Sequence, residues 1–212
     1  MNEKPVSFRS GDLTLEGLLH LPDTKPAAAA VICHPHPLYG GSMYNNVVDA
    51  VAEAMGRRNW AVLRFNFRGV GGSEGEHGGG VGEADDAVAA AAFVGEQTGL
   101  ELQKIVVAGY SFGAMATAIA APKLTDAAAL LLVALPLRMA ELDALAQFKG
   151  PILFVAGDAD SYCPAADLKR LGEKFGGRAQ VRIVEGADHF FGGREDELTA
   201  TIASMIETIA TI

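Results

Sequence analysis

Two serines lie in the pattern Gly-x-Ser-x-Gly, which can present a serine hydroxyl as a nucleophile at a sharp turn between a strand and a helix. Ser111 follows an apolar run that predicts a strand, and it precedes a helical pattern. Ser73 is followed by more glycines instead of a helix, so we expect it to be a loop residue. The alternative role for Ser111 is that of an ordinary helix N-cap. The sequence favours Ser111 as a nucleophile for acyl transfer.

A serine nucleophile needs a base, and the base needs an acid that orients it. Of the five histidines only His189 follows Ser111, and it lies between the last predicted strand and the last predicted helix. The acid is expected in the turn after the strand that ends at Gly157, where Asp158 and Asp160 are the candidates. We favour Asp160 because it is nearer the apex of the turn, and we expect Asp158 to cap the turn. The order serine, acid, histidine fits a nucleophile at this type of turn.

The oxyanion of an acyl-transfer intermediate is stabilised by two backbone donors. The N–H of Phe112, directly after the nucleophile, is expected to be one of them. The second should come from the loop over residues 33–41, after the first predicted parallel strand. The two prolines of this loop have no N–H, so His36 is the nearest usable donor, and Leu38 and Tyr39 remain alternatives.

His34 and His36 are close enough in sequence to suggest a metal pair, but the next sheet-end loop adds only His77 and acidic residues. The two cysteines lack the spacing of a zinc site, and we expect them to be buried. The glycine-rich loop over residues 69–82 matches neither phosphate-binding glycine pattern, and we interpret it as a tight, flexible rim. We therefore expect no metal and no cofactor.

The elements that would position these residues alternate between strand and helix. Short apolar runs predict strands over residues 27–33, 60–67, 104–110, 127–135, 151–157 and 181–184. Helical spacing of apolar residues predicts helices over residues 46–55, 84–92, 112–121, 168–175 and 198–209. In the second of these helices we expect Asp85 and Asp86 on the polar side. Residues 6–21 contain two alternating stretches around a turn, which predicts a β-hairpin.

A hairpin followed by repeated strand–helix units predicts an α/β fold. We expect a doubly wound, mostly parallel β-sheet with an N-terminal antiparallel hairpin and helices on both faces. No linker or repeat divides the sequence, so we expect a single domain over residues 1–212. Residues 136–150 lie outside the alternation, and this segment is too short for a lid domain.

The charge balance limits the partners of this protein. Lys and Arg number 17 against 26 Asp and Glu, a formal net charge of −9, which argues against nucleic acid and anionic membranes. The N-terminal residues lack the apolar segment of a signal peptide, and the longest apolar run, over residues 127–137, is too short to cross a bilayer. We expect a cytoplasmic protein that acts on a small molecule, with edge strands that could support a homodimer.

These residues resemble the α/β-hydrolase superfamily over nearly the whole chain. The resemblance includes the turn at Ser111, the loop of His189 and the sequence Gly-x-x-Asp-x-x-x-Pro over residues 157–164. In that last sequence the family's aspartate corresponds to Asp160, so the resemblance supports Asp160 as the acid.

The sequences of two loops show which members of the superfamily this chain resembles most. Residues 65–73 are similar to the family's Asp-x-Arg-Gly-x-Gly-x-Ser loop, with Asn66 in place of the aspartate. The His-Pro-His-Pro sequence over residues 34–37, where His-Gly is commoner, resembles a small group of bacterial predicted hydrolases without a lid. The nucleophile is serine instead of cysteine, which is unlike a dienelactone hydrolase.

The resemblance implies a serine hydrolase that cleaves carboxylic esters through a Ser-His-Asp triad and an acyl-enzyme. Without a lid, we expect an open, shallow pocket that takes short acyl chains. A thioesterase and a peptidase or amidase are the alternatives within the enzyme class. The adjacent basic pair Arg57-Arg58 lies at a predicted helix end, which favours an ester over the phosphate-rich acyl-CoA. A non-catalytic binding module is the alternative from another class, and the presence of all three triad residues argues against it.

Overall fold

The computed structural model describes residues 1–140 and 142–209. Its centre is one eight-stranded sheet with the strand order β1-β2-β4-β3-β5-β6-β7-β8. The strands are β1 Glu3–Ser10, β2 Leu13–His20, β3 Ala29–Cys33, β4 Ala61–Phe65, β5 Ile105–Tyr110, β6 Ala129–Val133, β7 Ile152–Gly157 and β8 Ala179–Val184. The helices are α1 Asn46–Gly56, α2 Val81–Thr98, α3 Phe112–Ala120, α4 Leu142–Leu145, α5 Ala165–Phe175 and α6 Glu195–Thr208.

The first two strands form the antiparallel hairpin, and β2 continues antiparallel to β4. Every later pairing in the sheet is parallel, from β4 and β3 through to β7 and β8. The predicted doubly wound sheet with an N-terminal antiparallel hairpin is therefore confirmed. Because the strands from β3 to β8 run in one direction, their carboxyl ends meet at one edge of the sheet.

Helices cover both faces of the sheet, which explains why its central strands are unbroken apolar runs in the sequence. Every residue of β3, β5, β6 and β7 is buried. In β3 the side chains alternate between the two faces, with Val31 in the hydrophobic cluster that includes α2 and α3 and Ile32 in the cluster that includes α1 and α6. Two separate cores therefore stabilise the fold, one on each side of the sheet.

The segment between β6 and β7 contains one short helix, α4. Leu145 and Phe148 of this segment are fully buried in the cluster that also holds α2 and α3. The described residues of this segment therefore contribute to a core beside the sheet. Among the residues described, no helix combines the length and the apolar character needed to cross a membrane.

The prediction that Asp86 lies on the polar side of its helix is wrong. Its side chain is fully buried and receives two hydrogen bonds from the Arg68 guanidinium, from Nε at 3.0 Å and from Nη2 at 2.7 Å. The Ser10 hydroxyl adds a third hydrogen bond of 2.7 Å. These partners come from β1 and from the chain after β4, so a helical pattern alone cannot reveal them. They make burial of the charge tolerable, because each carboxylate oxygen is hydrogen-bonded.

Candidate active site

Ser111 lies between the end of β5 and the start of α3, at the carboxyl edge of the sheet. Its backbone has φ 53° and ψ −114°, a region that is strained for any residue other than glycine. Two backbone hydrogen bonds hold it there, one from the Ser111 N–H to Val133 at 2.9 Å and one from the Met115 N–H to the Ser111 carbonyl at 3.1 Å. The strained turn projects the side chain away from the strand, as the sequence pattern predicts.

Two glycines make this turn possible. A Cβ atom on Gly109 would collide with the carbonyl oxygen of Gly113, and a Cβ atom on Gly113 would collide with the carbonyl oxygen of Cys33. The start of α3 therefore packs directly against the backbone at the end of β3. This contact brings the loop after β3 next to Ser111, where the sequence predicts the second oxyanion donor.

His189 lies in the loop after β8, and its side chain reaches Ser111. Its Nε2 atom is 2.9 Å from the Ser111 hydroxyl oxygen, and the residue is only 7% exposed. The Tyr110 hydroxyl, at the end of β5, donates a hydrogen bond of 3.0 Å to the His189 carbonyl and so anchors the loop to the sheet. The Asp188 carboxylate accepts hydrogen bonds from the two backbone N–H groups that follow the histidine, at 2.9 and 3.1 Å.

Asp160 lies in the turn after β7 and contacts the other side of the imidazole. Its carboxylate oxygens are 3.0 and 2.9 Å from His189 Nδ1. The oxygen Oδ1 also accepts the N–H groups of Tyr162 at 2.8 Å and Cys163 at 2.9 Å, and the residue is buried. A carboxylate can only accept, so Nδ1 carries the proton and the Nε2 lone pair faces the serine. Ser111, His189 and Asp160 thus form one continuous chain of hydrogen bonds.

Asp158, the other candidate acid, has a different partner. Its carboxylate is exposed and accepts the N–H of Gly186 at 2.8 Å, which links the turns after β7 and β8. The structure therefore brings Asp160 to His189 and uses Asp158 to cap a turn.

The two expected oxyanion donors lie on adjoining segments. Phe112 begins α3, and the His36 ring packs 4.7 Å from the Phe112 ring. Within the described part of the chain, neither the Phe112 N–H nor the His36 N–H has a hydrogen-bond acceptor. The two alternatives are both occupied, because Leu38 donates to the His36 Nδ1 atom at 3.2 Å and Tyr39 donates to the His36 carbonyl at 3.1 Å.

His34 and His36 have separate environments. His34 is fully buried, with Nδ1 donating to the Pro35 carbonyl at 2.6 Å and Nε2 accepting the Phe67 N–H at 3.0 Å. Burial lowers the pKa of His34 to about 4, so it is neutral at pH 7. Its imidazole therefore fixes the loop after β3 to the chain after β4. His36 instead lies at the surface of the site, against His77 and Phe112.

Asn66, which the sequence shows in place of an aspartate, has a structural role. Its side-chain oxygen accepts the Met43 N–H at 2.8 Å, and its side-chain nitrogen donates to the Glu16 carboxylate at 2.7 Å. An aspartate here would place a second carboxylate against Glu16. Ser73 donates its hydroxyl to the Asn66 carbonyl at 2.7 Å from a position within a loop, so its prediction as a loop residue is confirmed.

The glycine-rich loop contains an anchor that the sequence analysis missed. Glu83, in the first turn of α2, is fully buried and accepts the N–H groups of Gly78 at 2.8 Å and Gly80 at 2.7 Å. It also contacts His77 Nδ1 at 2.7 Å. Burial opposes ionisation of Glu83, but these hydrogen bonds outweigh it and hold the pKa of Glu83 below its usual value. The signal in the sequence was an acidic residue three positions after a helix-starting glycine.

The chain is similar to known proteins over most of its length. A family model described as an alpha/beta hydrolase domain matches residues 28–212. The chain is 32% identical to uncharacterized protein RP471 of Rickettsia prowazekii, over 96% of this chain and 89% of that protein.

Two solved structures are also similar over nearly their whole length. An alpha-beta serine hydrolase homologue from Coxiella burnetii has 32% identity and a TM-score of 0.84, covering 97% of this chain and 98% of that one. XC6422 from Xanthomonas campestris, an α/β serine hydrolase without a lid, has 28% identity and a TM-score of 0.85, covering 98% and 95%. The chain therefore belongs to the alpha/beta hydrolase family, among its serine hydrolase homologues without a lid.

Proposed function

We propose that the protein is a serine hydrolase that cleaves carboxylic esters, with Ser111 as nucleophile, His189 as base and Asp160 as the orienting acid. The observation that carries this proposal is the continuous chain of hydrogen bonds from the Asp160 carboxylate through His189 to the Ser111 hydroxyl. The fold supplies all three side chains from loops at the carboxyl edge of one sheet.

In the first step the Ser111 oxygen attacks the ester carbonyl while His189 Nε2 takes its proton. Asp160 keeps its negative charge and stabilises the imidazolium that forms. The N–H groups of Tyr162 and Cys163 donate to Asp160 Oδ1 and hold the carboxylate in place beside His189. The near-complete burial of the acid and the base strengthens the attraction between them.

The negative charge on the carbonyl oxygen would be stabilised by the N–H groups of Phe112 and His36. Each such donor is worth on the order of 3 kcal/mol in the transition state. Both groups are unengaged in the described part of the chain, whereas the N–H groups of Leu38 and Tyr39 already have acceptors. This difference supports His36 as the second donor.

The tetrahedral intermediate then collapses, and His189 returns its proton to the departing alcohol. The acyl group remains bonded to Ser111, and His189 next removes a proton from water, which attacks the acyl carbon. Collapse of the second intermediate releases the carboxylic acid and restores the serine hydroxyl.

The position of the adjacent pair Arg57 and Arg58 favours a simple ester over an acyl-CoA thioester. Arg57 and Arg58 follow the C-terminal end of α1, whose other end lies at the carboxyl edge of the sheet. Arg57 is paired with Glu53 at 2.5 Å, and Arg58 is paired with Glu207. This basic pair is therefore distant from Ser111 and already bound to carboxylates. The open site without a lid favours short acyl chains.

Labelling with a fluorophosphonate tests the proposal without a guess at the natural ester. The reagent modifies an activated serine, and mass spectrometry of the peptides locates the adduct. We expect modification at Ser111, its loss in Ser111→Ala and His189→Ala, and no change in Ser7→Ala, which alters an exposed serine of β1. Folded protein that resists the reagent would instead favour a binding module with this fold.

A further inference from the structure

Two exposed aromatic side chains flank the His189 imidazole. The Tyr162 ring centroid is 4.7 Å from the imidazole centroid, and the Phe190 ring centroid is 5.5 Å from it. Tyr162 is 56% exposed and Phe190 is 62% exposed, whereas Tyr110, the third aromatic neighbour of His189, is buried. Two aromatic rings beside the histidine therefore face solvent, and neither of them packs into the hydrophobic cores.

The backbone that carries each ring is fixed. The Tyr162 N–H donates to the Asp160 carboxylate at 2.8 Å. The Phe190 N–H donates to Asp188 at 2.9 Å, and its carbonyl accepts a hydrogen bond of 3.1 Å from the Asn46 side chain. Because both loops are held in place, a ligand that binds against the rings loses little affinity to ordering of the protein.

The reaction determines which part of an ester reaches these rings. When the intermediate collapses, the leaving oxygen accepts its proton from His189 Nε2, so it lies within hydrogen-bond distance of that atom. The carbon chain of the alcohol begins at this oxygen, so it starts beside His189. The acyl chain begins at the carbon bonded to Ser111 and extends in another direction.

We propose that Tyr162 and Phe190 form the binding site for the alcohol part of the ester, and that the site prefers aromatic alcohols. This inference rests on the proposed esterase function. Aromatic rings attract one another in offset and edge-to-face arrangements, and the two side chains present exposed ring surfaces beside His189. The site gives the enzyme a preference for the alcohol that is independent of its preference for the acyl chain.

Three esters separate the alcohol side from the acyl side. Benzyl acetate carries a ring on its alcohol, ethyl phenylacetate carries the same ring on its acyl group, and ethyl acetate carries none. The values of kcat/KM are measured for the wild type, Tyr162→Ala and Phe190→Ala. We expect kcat/KM for benzyl acetate, divided by kcat/KM for ethyl acetate, to fall by about threefold to tenfold in each variant. The ratio of ethyl phenylacetate to ethyl acetate should remain that of the wild type.

Two control variants sharpen the test. Tyr162→Phe keeps the ring and should keep the benzyl preference. Tyr44→Ala removes another exposed aromatic ring, one that lies near the Arg64 guanidinium, and should leave both ratios unchanged.

Three results would overturn the proposal. An equal loss of kcat/KM for all three esters would mean that the rings only position His189. A loss confined to ethyl phenylacetate would assign the rings to the acyl side. An unchanged benzyl ratio in both alanine variants would show that the alcohol does not contact them. Failure of the esterase function itself gives a different result, because the wild type would then hydrolyse none of the esters and would resist the fluorophosphonate.

Discussion

Asp158 and Asp160 lie in the same turn, and their carboxylates have different partners. Asp160 is buried against His189 and receives two backbone N–H groups, whereas Asp158 is exposed and caps the turn that leads to the histidine loop. A difference of two positions in the sequence therefore separates the acid that we propose orients the base from one that caps a turn. This pair of residues provides a matched test of the proposed triad.

Replacement of Asp160 by asparagine should lower kcat by roughly 10⁴-fold, because an amide neither fixes the required tautomer of His189 nor stabilises the imidazolium. Asp158→Asn should retain wild-type activity, since its side-chain oxygen can still accept the Gly186 N–H. Steady-state hydrolysis of a short ester measures both variants. Equal activities in the two variants would contradict the assignment of the acid.

His34 makes stability depend on pH between about 4 and 6.5, because its pKa in the folded protein lies below its ordinary value of 6.5. In this range the unfolded chain binds a proton that the folded protein does not, so stability rises with pH. We expect the neutral imidazole to account for about 3 kcal/mol of unfolding free energy that is present above pH 6.5 and lost as the pH falls to about 4.

Urea unfolding at several pH values, compared between the wild type and His34→Gln, measures this contribution. The variant lacks the titrating group, so its stability should fall less steeply over the same range, although it starts lower because the Phe67 N–H is disturbed. If the unfolding free energies of the two proteins change equally with pH, His34 does not cause the pH dependence of stability.

Among the secondary-structure elements, the junction of β3, β5 and α3 depends on direct backbone packing. Gly113 leaves no room for a side chain, because a Cβ atom there would collide with the Cys33 carbonyl. This contact holds the loop that carries His36 next to the turn that carries Ser111. The packing of one helix on one strand thus sets the distance between the proposed nucleophile and the proposed oxyanion donor.

Gly113→Ala should destabilise the protein by about 1–3 kcal/mol, because the added methyl group forces α3 away from β3. Gly177→Ala is the matched control, since no atom lies within 4 Å of a Cβ atom built there and its φ is not positive. Denaturant unfolding gives both values. If the two variants have the same free energy of unfolding, the close packing of α3 on β3 does not contribute to the stability of the protein.

The sequence predicted the central elements better than the contacts between distant segments. Strands such as β5 and β7 were readable because burial on both faces leaves an unbroken apolar run. The burial of Glu83 and Asp86 could not be predicted from the sequence. The groups that make it possible come from the glycine-rich loop, from Arg68 and from β1. The helix that carries them also begins earlier than its apolar spacing indicates, at Val81. For the site, the turn pattern and the chain order pointed to the residues that the structure brings together, while Tyr162 and Phe190 carried no sequence signal.

At the scale of the whole molecule, the protein carries a formal net charge of −9. A negative protein raises the local concentration of cationic molecules and lowers that of anionic ones, and dissolved salt screens the effect. If the proposed function is correct, we expect this charge to favour cationic esters over neutral ones.

Acetylcholine and its uncharged carbon analogue, 3,3-dimethylbutyl acetate, have nearly the same shape and test this preference. We expect the ratio of their kcat/KM values to favour the cation in dilute buffer and to fall as salt is raised from about 10 mM to about 500 mM, where the screening length shortens to a few ångströms. A ratio that does not change with salt would show that the overall charge has no influence on the site.

The order of the strands has a consequence for the synthesis of the protein. Ser111 follows β5, but its partner His189 follows β8, the last strand of the sheet. A nascent chain on the ribosome therefore exposes the serine well before the histidine has been translated. During that interval the proposed nucleophile has no base beside it, so we expect the growing chain to show no esterase activity until the eighth strand has joined the sheet.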